Sequence, residues 1–144
     1  MRVAIGNDHL GYNLKLVLMD ALREWGFEPV DVGCDTTQSV DYPVYGEKVG
    51  RAVAGGDCQL GIAICGTGAG ISLAAGRVPG IRAVCCSDEY TCEYTRRHND
   101  TNVLAIGARV LTPERAQRLV KIFLTTEFEG GRHARRVAML DDIH

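Results

Sequence analysis

The chain has 144 residues, 46% of them hydrophobic, and 16 Lys and Arg against 18 Asp and Glu give a formal net charge of −2. That length and apolar content suit one compact domain with its own core and exclude a disordered chain, which needs low hydrophobicity and high net charge. No apolar run reaches the about 18 residues of a membrane span, Met1–Asp8 turns polar too early for a secretory signal, and a pI near 6.1 argues against a nucleic-acid or membrane partner.

The charge is unevenly laid out. Residues 1–95 carry 7 basic and 12 acidic side chains, residues 96–144 carry 9 and 6, and 13 of the 16 basic residues are arginine. An anion site in the C-terminal third accounts for such a bias without a polyanionic partner.

In chain order, Arg2–Gly6 reads as a β-strand. Leu14, Val17, Leu18, Ala21, Leu22 and Trp25 then recur at helical spacing, with Gly26 as the stop. Pro29–Val32 is a second strand and 33–41 a polar turn. Tyr45, Val49, Ala52 and Val53 mark a second helix, closed by Gly55-Gly56. Leu60–Ile64 is a third strand with a short helix over Ala69–Ala75 behind it. Ile81–Cys86 is a fourth strand, Asp88–Arg97 a helix, and Val103–Ile106 a fifth strand. Thr112-Pro113-Glu114 opens a helix with an N-cap hydroxyl, a proline at the first position and an acid in the first turn. A last helix covers about Ala134–Leu140. Five strands alternating with helices predict an α/β fold with a mostly parallel sheet covered on both faces, and ligands at the C-terminal ends of its strands.

The six cysteines form no C-x-x-C and no zinc-type pairing with histidine, so no metal is expected, and free thiols suit a reducing cytoplasm. Cys58, Cys85 and Cys86 read as packing residues. Cys65 differs because Gly66-Thr67-Gly68-Ala69-Gly70-Ile71-Ser72 follows it. Three glycines leading into a helix leave amides free to converge on a negative charge, and a thiol at a helix N-terminus ionises more readily than a free one. Cys65 is therefore either a reactive thiol or a strand-end packing residue. Position 71 is isoleucine, where a dinucleotide fingerprint needs glycine and a cysteine-phosphatase loop needs arginine. Gly6–Gly11 has P-loop glycine spacing but lacks the Lys-Ser/Thr that follows it.

Three further segments are ambiguous. Asp8-His9, at the end of strand one, is either site equipment or a helix cap. The polar run 96–102, between helix four and strand five, is either site equipment or a solvated loop. Arg132 and Arg136, spaced i, i+4, share a helix face; they suit bidentate phosphate binding, or form a solvated helix end.

Together, Asp8-His9 with Gly11, Asp41-Tyr42-Pro43, Cys65-Gly66-Thr67-Gly68 with Gly70, Gly80-Ile81-Arg82-Ala83, His98-Asn99-Asp100, and Gly130-Gly131-Arg132-His133 with Arg136 resemble the type B ribose-5-phosphate isomerases and the galactose-6-phosphate isomerase subunits. The match spans almost the whole chain. It implies a single Rossmann-like three-layer domain over 1–144, whose C-terminal helix, about 133–143, carries phosphate-binding arginine. It implies a metal- and cofactor-independent aldose–ketose isomerase acting through an enediolate, with ribose 5-phosphate and ribulose 5-phosphate of the pentose phosphate pathway as the expected pair. A six-carbon phosphate, galactose 6-phosphate or allose 6-phosphate, and a non-catalytic sugar-phosphate sensor are the alternatives.

The resemblance also implies roles. Cys65 is the base, isoleucine rather than glutamate at position 71 placing the chain in the cysteine branch. Thr67 orients a hydroxyl proton. His98 opens the furanose ring with Asp8 as partner. The amides of Gly66, Gly68 and Gly70, with Asn99, hold the oxyanion. His9, Arg109, Arg132 and Arg136 clamp the phosphate, and Tyr42 lines the sugar pocket. A homodimer or homotetramer with sites at subunit interfaces is expected. Cys34, Gly76 and Arg77 depart from the family pattern without removing a catalytic group.

Overall fold

The computed structural model describes residues 1–144. The strands are β1 (Arg2–Asn7), β2 (Glu28–Asp31), β3 (Leu60–Cys65), β4 (Ala83–Cys85) and β5 (Val103–Gly107). The helices are α1 (Tyr12–Glu24), α2 (Tyr42–Ala54), α3 (Ala69–Gly76), α4 (Glu89–Asn99), α5 (Pro113–Thr125) and α6 (Arg132–Asp141), with one 3-10 turn over His9–Gly11. The sheet order is β2-β1-β3-β5-β4, and all four pairings are parallel. No helix is long and apolar enough to cross a membrane.

The period-2 alternation of strand side chains sorts the sheet into unequal faces. Val3, Ile5, Ile62, Ile64, Leu104 and Ile106 meet α1, α4 and α5 in one core cluster. Such large side chains, fully withdrawn from water, each contribute about 1.5–3 kcal/mol. Ala4, Ala63, Cys65 and Ala105 face α2 and α3 in a second cluster. The small face lets these helices approach closely: a Cβ at Gly6 would stand 2.5 Å from Val49, and one at Gly46 would stand 2.6 Å from the Ala74 methyl. Cys65 follows Gly61 and Ala63 in the alternation and so emerges on the α2/α3 side.

Several expectations need correction. Val17 is 38% exposed, because the buried stripe of α1 runs along Leu14, Lys15, Leu18, Ala21 and Leu22 and leaves Val17 on its flank. The unforeseen member is Lys15, 1% exposed, whose ammonium donates to Asp31 Oδ1 at 3.2 Å and to the Cys34 carbonyl. The expected fourth strand shrinks to three residues on the sheet edge, which leaves Cys85 exposed rather than packed. The helix expected to end at Arg97 runs on through His98 and Asn99, so the first four residues of the polar run 96–102 are helical. The helix continues to Asn99 because Arg97 pairs with Glu93 one turn back and Arg96 with Asp100, which takes the left-handed conformation (φ 47°) that ends it. The second helix begins three residues earlier than its apolar pattern, at Tyr42, with Pro43 in its first turn. The last helix starts at Arg132, so both arginines of the pair lie on it.

Candidate active site

Chain connectivity reverses direction across β1, which pairs with β2 on one side and β3 on the other, so a crevice opens where these neighbours part. The register places Asn7 opposite Ile64 and Cys65 opposite Gly107. The segments leaving β1, β3 and β5 therefore stand in one row. They form a cleft of about 270 Å³ lined by Asp8, Leu10, Tyr42, Cys65, Gly66, Thr67, Gly70 and Arg109.

Within the cleft, the Gly68 amide donates to Cys65 Sγ at 3.2 Å, and the Ala69 amide donates to Thr67 Oγ1 at 3.2 Å. The glycine loop thus spends two of its amides internally, one of them on the sulfur. Gly68 adopts φ +83°, and a Cβ there would stand 2.8 Å from Cys85 Sγ and from the Ile106 carbonyl carbon. Gly66 leaves room for Leu10 and Gly70 for the Tyr42 ring; a Cβ at either would come within 2.9 Å of its neighbour. Backbone bonds from Ala108 to the Cys65 carbonyl (2.9 Å) and from Arg109 to the Gly66 carbonyl (3.0 Å) strap the loop to the end of β5.

Asp8 caps the 3-10 turn through Leu10 N–H at 3.0 Å and also lines the cleft, so serving as a cap does not remove it from the cleft wall. His9 Nδ1 accepts the Val40 amide at 3.1 Å. That bond leaves Nε2 to carry the ring proton, as a donor available to an anion.

The remaining expected residues lie elsewhere in the chain. His98 and Asn99 end α4, ahead of β5, whereas Cys65 is level with the far end of β5. Strand β5 separates the two groups by its own length, about 15 Å at the usual rise per residue. Arg132 and Arg136 accompany His98, because α6 packs on α4. Asn99 lines a separate groove of about 880 Å³, bounded by 76–84 on one side and by Leu140, Asp141, Ile143 and His144 on the other.

Around His98 the structure assembles partners that the sequence did not single out. The rings of His98 and His133 stack, with centroids 4.0 Å apart and planes 10° apart. Glu129 Oε1 stands 3.8 Å from His98 Nε2 and 3.7 Å from His133 Nε2, and Glu129 Oε2 takes the Arg97 guanidinium at 2.6 Å. That bond holds the Glu129 carboxyl below its ordinary range. Burial, then the charges of His98 and Arg132, hold His133 below the usual histidine value. These three residues offer metal-ligand atoms within 4.8 Å of one another, but two near-parallel imidazoles send their lone pairs side by side rather than to one point. The detectable signal was the i, i+4 spacing of Glu129 and His133 across Gly130-Gly131, both of which take positive φ.

Arg109, Arg132 and Arg136 are exposed and make no ion pair, whereas Arg96 and Arg97 are bound to Asp100, Glu93 and Glu129. Arg77, Arg118 and Arg135 are likewise exposed and without an ion pair, so this freedom leaves the three guanidiniums open to an anion without setting them apart.

Residues 3–140 match the family model described as Ribose/Galactose Isomerase. The chain is 47% identical over 142 residues to ribose-5-phosphate isomerase B of Escherichia coli (strain K12), covering 99% of this chain and 95% of that protein. It superposes on the structure of Clostridium thermocellum ribose-5-phosphate isomerase B with a TM-score of 0.97 at 49% identity, over 99% and 96% of the two chains. It is also 38% identical over 138 residues to the D-erythrulose-4-phosphate isomerase of Pectobacterium atrosepticum, covering 95% of this chain and 91% of that protein.

Proposed function

Because the chain belongs to the ribose/galactose isomerase family and is an isomerase of that kind, we propose that it interconverts ribose 5-phosphate and ribulose 5-phosphate, with Cys65 as the base. The observation that carries this reading is the Gly68 amide aimed at Cys65 Sγ, at the mouth of a cleft also lined by Asp8, Thr67 and Arg109.

The chemistry follows from those positions. His98 and Asp8 move the protons that open the furanose to the aldehyde. The Cys65 thiolate takes the C2 proton; the C2 electrons form the C1–C2 double bond and the carbonyl oxygen becomes an enediolate oxygen. Loop amides and Asn99 hold that charge, and a donor so placed is worth a few kcal/mol. Thr67 orients the hydroxyl proton that passes between O2 and O1, and the proton on sulfur returns to C1 to give the ketose. His9, Arg109, Arg132 and Arg136 take the phosphate, and Tyr42 walls the sugar.

Cys65 and His98 lie at opposite ends of β5, so the reading requires a second copy of the chain to supply His98, Asn99, Arg132 and Arg136 to each Cys65 cleft. Tyr42 (40% exposed) on the cleft wall, the exposed Val44 (49%) and Leu73 (72%) of α2 and α3, and the groove carrying Asn99 are surfaces such a copy would cover. The assembly is then a homodimer, or a homotetramer built from two such dimers, and six unpaired cysteines fit a reducing cytoplasm.

A four-carbon substrate is the second reading, supported by the likeness to a D-erythrulose-4-phosphate isomerase. Comparing kcat/KM across tetrose, pentose and hexose phosphates decides the substrate. Cys65→Ala should abolish hydrogen exchange at C2 and keep substrate binding; near-full turnover in that variant would overturn the assignment of the base.

A further inference from the structure

We propose that Glu129 is a positioning residue for His98: anchored by Arg97, it holds the imidazole edge in place and, with His133 stacked on the ring, fixes where the His98 proton sits during ring opening. The proposal rests on the reading of His98 as the ring opener.

The geometry divides the labour within one carboxylate. Oε2 is committed to Arg97 at 2.6 Å, and the Glu129 amide donates to the Arg97 carbonyl at 3.0 Å, so the residue is tied to α4 from two sides. Oε1 is left facing both Nε2 atoms, at 3.8 and 3.7 Å. Those gaps exceed a settled hydrogen bond and suit an ion pair that tightens when one ring gains charge, as catalytic contacts commonly do once substrate is in place. The His98 ring is fixed on its other sides as well, edge-on to Tyr94 with centroids 5.1 Å apart and face-on to His133.

The two rings are not equivalent. His133 is 6% exposed and its Nε2 has no hydrogen-bond partner, so charging it would bury a cation; its own environment, burial first, holds it below the usual histidine value. His98 is half-buried at the end of its helix. One anion facing two imidazoles, of which one resists protonation, directs the proton to His98. The charged and titratable groups around the pair are Tyr94 and Arg97 from α4, Glu129 from the preceding loop, and Arg132, His133 and Arg136 from α6.

The test separates ring opening from proton transfer at carbon. A ketopentose 5-phosphate has its O5 esterified and cannot close a furanose, so deuterium uptake at its C1 in D2O reports enediolate formation alone. In the assembled protein, Glu129→Gln should lower turnover of ribose 5-phosphate about tenfold and move the alkaline limb of its pH profile down by about half to one pH unit, since the imidazolium that delivers the proton loses its counter-charge. Deuterium uptake at C1 of ribulose 5-phosphate should stay within about twofold. His98→Gln should likewise lose furanose turnover and keep C1 exchange, while Cys65→Ala loses both. If His98→Gln lowers furanose turnover and Glu129→Gln changes neither rate nor pH profile, the positioning role falls and the ring-opener reading stands. If His98→Gln keeps furanose turnover, both fall. A parallel loss of turnover and C1 exchange in Glu129→Gln would also overturn the role, as a merely structural effect. Should Glu129→Gln fail to fold, Glu129→Asp carries the test: it keeps the charge but withdraws the oxygen, and should slow furanose turnover without moving the alkaline limb.

Discussion

The Gly68 amide reaches Cys65 Sγ at 3.2 Å only because Gly68 sits at φ +83°, a backbone conformation that L side chains rarely adopt. The same residue is walled by Cys85 Sγ and the Ile106–Gly107 backbone, so the sulfur's donor and the loop's packing depend on one missing Cβ.

Gly68→Ala should therefore cost more than conformational entropy. Strain in the left-handed region and the 2.8 Å approach to the Ile106 backbone should destabilise the fold by roughly 1–3 kcal/mol. Turnover should fall by about 10²-fold, the scale for losing one well-placed donor. Chemical denaturation and steady-state kinetics on the same preparation check both figures. An alanine variant with unchanged turnover would mean the amide does not serve the sulfur.

Buried Lys15 makes a second, purely structural prediction. Asp31→Ala would leave an ammonium that is 1% exposed with the Cys34 carbonyl as its remaining oxygen partner. Breaking a buried pair is expensive, but Asp31 is 39% exposed and water can compensate in part, so about 1–2 kcal/mol is expected. Lys15→Met removes the charge and keeps the volume, and should be less damaging than Asp31→Ala. Urea midpoints of the two variants test the order.

The depth to which the sequence was legible varies along the chain. The five strands and six helices follow from local periodicity, and the Cys65 loop announced itself through glycines whose conformational role is local. Lys15 was not legible, because its partners lie 16 and 19 residues away and an apolar stripe gives no sign of a buried ammonium. Nor was the exposure of Cys85, which follows from β4 lying on the sheet edge, a matter of strand order. The separation of Cys65 from His98 is of the same kind: Cys65 ends β3 and His98 lies in the helix that leads into β5, and the parallel register sets them at opposite ends of β5. Glu129 escaped notice because its role depends on a turn with two positive-φ glycines that carries it across to α4.

The shifted groups around His98 make acid stability predictable in two windows. His133 is held below its ordinary 6.5, so the unfolded chain binds a proton there first; its contribution is complete above about pH 6.5 and declines as pH falls through the lowered value. Glu129 is held below its ordinary 4.5, so its contribution is complete above that pH and declines below it. His133→Gln should flatten the stability curve just below pH 6.5, and Glu129→Gln should flatten it below pH 4.5. Thermal melts at half-unit pH steps resolve the two, and curves superposing on wild type in both windows would contradict the assignment.

The separation of Cys65 from His98 yields the sharpest test of the shared site. If each site joins the cleft of one copy to the His98 face of another, Cys65→Ala and His98→Gln disable different halves. Each variant alone should be weak or inactive. In a mixed dimer, one site carries both defects, while the other combines an intact Cys65 with an intact His98. Random reassembly of equal amounts makes about half the dimers mixed, each with one sound site, so about a quarter of wild-type activity should return. Mixing should be done by co-expression or by unfolding and refolding together, with activity per site measured against each parent treated identically. A site contained within one copy would give no recovery, because every Cys65 cleft would then keep its own defect.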